Sequence, residues 1–162
     1  MTDAESPAIQ GMPGHLLRRC HQIAVAIFLD ECRDLTPLQF VTLAALASQG
    51  ALDKATIGRE VALDRTTIAV VVKNLEERGL VTSRDSDEDR RARLVEITAA
   101  GRALVQVVKG DVQRTQERIL SPLEPGEQAE LVRLLAKMAE VNNLLSRAPQ
   151  QPRRAGPLSR SR

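Results

Sequence analysis

Eight of the eleven residues in segment 84–94 (RDSDEDRRARL) are charged, four arginines against four acids. Leu80 and Val81 precede it, and the alternation Leu94, Val95, Glu96, Ile97, Thr98 follows, so the pattern is a charged hairpin tip on apolar strands. With the charges balanced, the chemistry on offer is positional rather than bulk attraction. An arginine at such a tip fits the narrow, electronegative minor groove of duplex DNA. Asp89, two positions before Arg91, can hold that guanidinium by a charge-assisted bond, and Arg84 and Arg90 belong to the same candidate surface.

A second set precedes the hairpin. In a helix over residues 65–78, Ile68, Val72 and Leu75 share the inward face, which leaves Arg65, Thr66, Ala69, Val70 and Lys73 on the opposite one. Arg65 can donate in bidentate fashion to guanine. Thr66 and Thr67 can bond bases or phosphates, Ala69 and Val70 can touch thymine methyls, and Lys73 suits a phosphate. A third set lies near the N-terminus, where His15, Arg18, Arg19 and Gln22 fall on one helix face and could grip a carboxylate.

The elements that would position these residues can be read from apolar spacing and stop signals. Residues 1–12 are small, polar and punctuated by Pro and Gly, and are expected to be disordered. A first helix over 14–33 carries Leu16, Cys20, Ile23, Ala24, Ile27 and Phe28 as its buried stripe. Thr36 and Pro37 open a second, with Phe40, Leu43, Ala44, Leu46 and Ala47 inward as far as Gly50. Asp53 caps a short helix to about Val61, and Asp64 caps the next, which Gly79 stops. The three-residue turn between them, Ala62, Leu63 and Asp64, makes the pair a helix-turn-helix. After the hairpin, Thr98 caps one helix over 99–120, Pro122 ends it, and Pro125 opens a last helix to about Leu145.

The expected fold is mainly α with a small β-wing. A winged helix-turn-helix over 36–98 is flanked by a helical dimerisation region over 13–35 and 99–145, and by a disordered basic tail over 146–162. The end helices are amphipathic but have little of the central domain to cover, so a second copy of the chain is the expected partner.

Composition narrows the alternatives. The overall charge is +2, yet segment 147–162 holds five Arg and no acid, which leaves −3 on the rest; the basic balance belongs to the tail. Two aromatic side chains, Phe28 and Phe40, are too few for a base-stacking platform, which disfavours single-strand and most RNA binding. No apolar run approaches a membrane span, and the acidic N-terminus lacks a signal pattern, so the expected compartment is the cytoplasm. Cys20 and Cys32 stand about 18 Å apart along one helix, beyond disulfide reach. His15 and His21 lie about 240° apart around it and form no metal site. No cofactor is expected. There is no phosphate loop and no nucleophile with a matching base, so the chain does not read as an enzyme.

The strings LEERGLV (75–81), DRRAR (89–93) and LVEITAAG (94–101) resemble the MarR family of transcriptional regulators over about residues 13–145. The resemblance implies a homodimer that binds a pseudo-palindromic operator, usually as a repressor, and that a small ligand often releases. It matches Asp89 and Arg91 to the family's wing pair, and Arg65, Thr66 and Thr67 to the start of its recognition helix. Val70 departs from the pattern, standing where many members carry a polar or basic residue. The family's ligand pocket lies beside helix 1, and the opening resembles members that govern aromatic-acid catabolism. An aromatic carboxylate or its CoA thioester, held by His15, Arg18, Arg19 and Gln22, is then the expected effector. Two other readings stay open: a redox regulator working through Cys20, as some relatives sense peroxides with a first-helix cysteine, and a winged-helix adaptor that contacts proteins and no DNA.

Overall fold

The computed structural model describes residues 9–85, 93–146 and 148–149. Among the described residues seven α-helices and three short strands run in the order α1 Pro13–Glu31, α2 Pro37–Gln49, β1 Leu52–Asp53, α3 Lys54–Glu60, α4 Arg65–Glu77, β2 Val81–Asp85, β3 Arg93–Ile97, α5 Ala99–Val107, α6 Lys109–Leu120 and α7 Pro125–Val141. One 3₁₀ turn, Ile9–Gly11, leads into α1 inside the segment expected to be disordered, the Met12 amide donating to the Ile9 carbonyl at 3.2 Å to close it; a second, Asn143–Leu145, follows α7.

Local chemistry accounts for most boundaries. Thr36 and Gln39 form a reciprocal capping box at the start of α2, with Pro37 at the first helical position. Asp53 accepts from the Ala55 and Thr56 amides at 2.9 and 3.0 Å, which starts α3. Burial pushes the Asp53 carboxyl up, but bonds from the Thr56 hydroxyl and amide and from the Ala55 amide outweigh it, and its pKa is lowered. Gly79, at φ 68°, ends α4: the Leu80 amide donates to the Leu75 carbonyl and the Gly79 amide to that of Glu76, both at 2.9 Å.

The core lies under the wing. Leu43, Leu46, Ile57, Ile68, Val72, Leu75, Val95 and Val108 are its fully enclosed side chains, and Phe28, Cys32 and Leu35 close it from the α1 side. The sheet runs β1-β3-β2, antiparallel throughout, with Val81 opposite Ile97 and Leu52 opposite Val95. The first strand is an addition to the expected hairpin, and at two residues it is too short to show a period.

Three expectations are corrected. The helix expected over 99–120 is interrupted at Val108, which keeps right-handed values (φ/ψ −80°/−1°); its amide donates to the Leu104 carbonyl and its carbonyl accepts from Val112, both at 3.0 Å. Upstream, α5 packs on α2; downstream, α6 packs on α1. Gly110, a poor helix former, follows the interruption. Second, the stripe on α1 is not enclosed within one chain: Phe28 is its only fully buried member, while Leu16 and Ile23 are 43% and 53% exposed. Third, Cys20 is exposed rather than set in apolar surroundings; Cys32 is the buried thiol, and both are free.

Two arginines on α6 fasten it to the end of α1. Arg118 donates to Asp30 and Glu31 at 2.6 Å each, and Arg114 to Glu31 at 3.1 Å and to Asp111. Hydrogen bonding to Arg118 holds the Asp30 and Glu31 carboxyls below the usual carboxylate range, and Arg114 adds to the effect on Glu31. Among the described residues no helix is long and apolar enough to cross a membrane.

Candidate nucleic-acid interface

The turn between α3 and α4 aims the candidate reading helix. A Cβ on Gly58 would stand 2.7 Å from the Leu63 carbonyl oxygen, so glycine lets the turn close over α3. Leu63 donates its amide to the Gly58 carbonyl at 2.8 Å, and Ala62 takes a φ of 55° to make the corner. Asp64 then caps α4, accepting from the Thr66 and Thr67 amides at 3.0 and 2.9 Å. With Ile68, Val71, Val72 and Leu75 buried, the face of α4 that carries Arg65, Thr66, Ala69, Val70 and Lys73 is left in solvent. Val70, 56% exposed, is an apolar side chain that packing within the chain does not explain. Lys73 stands 3.8 Å from Glu77 with both side chains well exposed, a contact too weak to withhold the ammonium from a phosphate.

Thr67 differs from its neighbours. It is half-buried and its hydroxyl donates to Asp64 at 3.0 Å, so it completes the cap instead of facing outward.

On the wing, Arg84 is tied along the hairpin: its Nε lies 3.6 Å from Glu96, and its Nη1 donates to the Asp85 carbonyl at 3.4 Å. Asp89, Arg90 and Arg91 lie outside the described residues. Two contacts at the end of α4 were not foreseen. Ser83 on β2 donates its hydroxyl to the Glu76 carboxylate, and Arg78 donates to Gln39 of the α2 capping box at 3.3 Å.

The candidate effector residues do share one side of α1. His15 is half-buried, Arg18, Arg19 and Gln22 are exposed, and Arg18 donates to Gln22 at 3.4 Å. They do not line the open groove of about 410 Å³ between α2 and α3, which is walled by Val41, Ala44, Ala45, Ser48, Gln49, Glu60 and Val61.

Comparison with known proteins agrees with this geometry. The MarR family model matches residues 33–92, the stretch from the end of α1 to the wing. The transcriptional repressor NicR of Pseudomonas putida is 36% identical over 129 residues, which are 78% of this chain and 82% of NicR. Among solved structures, BpsR of Bordetella bronchiseptica, whose DNA binding is regulated by 6-hydroxynicotinic acid, is 35% identical with a TM-score of 0.80, over 83% of this chain and 98% of that one. The repressor CouR of Rhodococcus jostii, solved on a 23-mer DNA duplex, is 26% identical with a TM-score of 0.75, over 85% and 99% of the two chains. A helix-turn-helix with an outward-facing reading helix and a wing, matched to NicR along about four fifths of either sequence, places the chain in the MarR family of transcriptional regulators.

Proposed function

We propose that the chain is a dimeric, cytoplasmic repressor that binds a pseudo-palindromic operator and leaves it when a small aromatic carboxylate, or its CoA thioester, occupies the region around His15, Arg18, Arg19 and Gln22. The observation that carries the DNA reading is the exposed α4 face, on which Arg65, Thr66, Ala69, Val70 and Lys73 stand opposite the buried Ile68, Val72 and Leu75. In this reading α4 enters the major groove, with Arg65 and Thr66 at its leading end and Val70 and Ala69 against thymine methyls. The wing arginines, Arg91 with Asp89 as its support and Arg90 and Arg84 beside it, serve the flanking minor groove and backbone. We take residues 36–98 as the DNA-binding unit, and 13–35 with 99–145 as the dimerisation unit. NicR's name as a repressor and the regulation of BpsR by an aromatic acid support the direction of the response and the effector class.

Titration against duplex DNA from the region upstream of the chain's own gene, at several salt concentrations, tests the first half. A bidentate arginine–guanine contact discriminates by about 1–3 kcal/mol, so Arg65→Ala is expected to weaken the preferred site by roughly 5- to 150-fold and to relax preference at one base pair. Lys73→Ala is expected to weaken all sequences alike and to lower the salt slope by about one. Binding of wild type to no duplex would leave the protein-adaptor reading in its place.

The effector half is tested with 6-hydroxynicotinate as the probe. It should raise the melting temperature and lower operator affinity in wild type, since a ligand that binds only the native state stabilises it. Arg18→Ala should lose most of both effects. An unchanged response in that variant removes α1 from the effector site.

A further inference from the structure

The string LEERGLV that ends α4 contains a carboxylate with no part in the proposed base reading. Glu76 comes seven residues after Ala69 and three after Lys73, which puts it about 20° from Ala69 around the helix axis, at the trailing end of the reading stripe. Glu76 is half-buried, while Glu77 beside it is exposed, and its partner is the hydroxyl of Ser83.

Ser83 is the middle residue of β2, opposite Val95 on β3. By strand alternation it shares a side with the buried Val81, whereas its neighbour Arg84 lies on the other side, where it reaches Glu96. The remaining contact between α4 and β2 is made by the apolar core around Leu75, Leu80 and Val81. Apolar packing fixes separation but is non-directional; a hydroxyl–carboxylate bond has a preferred angle. The polar tie between Ser83 and Glu76 therefore sits at the junction of the two DNA-facing parts.

We propose that Ser83 and Glu76 are positioning residues for DNA recognition. Their hydrogen bond sets the angle of the wing relative to α4, so that the major-groove contacts of the helix and the flanking minor-groove contacts of the wing are made together. This rests on the DNA reading proposed above.

The test uses the full chain and two duplexes: the protected upstream site, and the same site with the flanking A·T pairs replaced by G·C and the half-sites kept. Wild type is expected to prefer the first. Loss of one hydrogen bond to a charged group should make Ser83→Ala roughly 10- to 150-fold weaker on the first duplex and little changed on the second, so that discrimination between flanks disappears while half-site preference remains. Ser83→Thr, which keeps the hydroxyl and suits a strand, should restore discrimination. Loss of affinity on both duplexes alike, or flank discrimination intact in Ser83→Ala, would overturn the proposal. Wild type that binds neither duplex would overturn the DNA reading on which it stands, a distinguishable outcome.

Discussion

Gly101→Ala is expected to destabilise the protein by about 2–3 kcal/mol and to lower its melting temperature by roughly 5–10 °C, although alanine is the better helix former. A Cβ at this position would stand 2.2 Å from the Leu80 carbonyl oxygen and 2.7 Å from Cγ1 of Ile97. The carbonyl cannot retreat. Leu80 is held on one side by its amide bond to Leu75 and on the other by the Thr98 amide, which donates to that same oxygen at 3.0 Å. Thr98 in turn donates its hydroxyl to the Gly79 carbonyl at 2.8 Å and caps α5 through the Gly101 amide at 3.1 Å. Relief requires α5 to lift from the end of α4, opening the core beside Ile97. In the absence of this clash the substitution would add about 1 kcal/mol of helix propensity. The sign of the change therefore decides the matter. Thermal melting at fixed protein concentration checks it, and a melting temperature equal to or above wild type would refute the close approach.

The same corner shows what sequence can and cannot disclose. Asp64, Gly79 and Thr98 announce their caps because a cap is a local event, satisfied within three or four residues. Helix periodicity likewise exposes the face of α4, since Ile68, Val72 and Leu75 recur at the helical repeat. Side-chain partners distant along the chain leave no such trace. The bonds from Arg114 and Arg118 to Asp30 and Glu31 join residues more than eighty positions apart, and Ser83 and Glu76 are ordinary polar residues until a hairpin folds back on a helix. The interruption at Val108 is equally illegible, since no proline marks it and the two helices it separates pack on different partners, α2 and α1. Thr67, read from the sequence as a base or phosphate contact, also donates its hydroxyl to the capping Asp64, a bond that becomes visible only once the turn is folded. For α1 the apolar stripe was legible but not its cover, because periodicity reports that a face is apolar and is silent on which molecule buries it.

That distinction governs the second large effect, the loss of dimerisation and of operator binding together when Leu135 and Met138 are both replaced by Glu. On α7, Leu131, Leu134, Leu135 and Met138 repeat at three-and-four spacing and remain 36–47% exposed in the single chain, with Val141 at 74%. Leu16, Leu17 and Ile23 on α1 are similarly open, at 43–53%. Burying the exposed third to half of each such side chain is worth about 0.5–1.5 kcal/mol, and a continuous ridge of them is seldom left to water. A two-fold partner would bury both ridges at once, because an isologous interface uses each surface twice. Glutamates at 135 and 138 would then bring four carboxylates into one apolar contact, where their charge is poorly hydrated. Sedimentation should show wild type as a dimer and Leu135→Glu/Met138→Glu as a monomer with unchanged helical circular dichroism. A monomer keeps α4 and its wing, so its affinity for a duplex carrying one half-site should match that of a wild-type protomer. On the full operator it loses the second, tethered contact, which amounts to about 10²- to 10⁴-fold in affinity. If the variant remained a dimer, α7 would not be the interface; if it became a monomer and still held the full operator as wild type does, the two half-sites would not be read in concert.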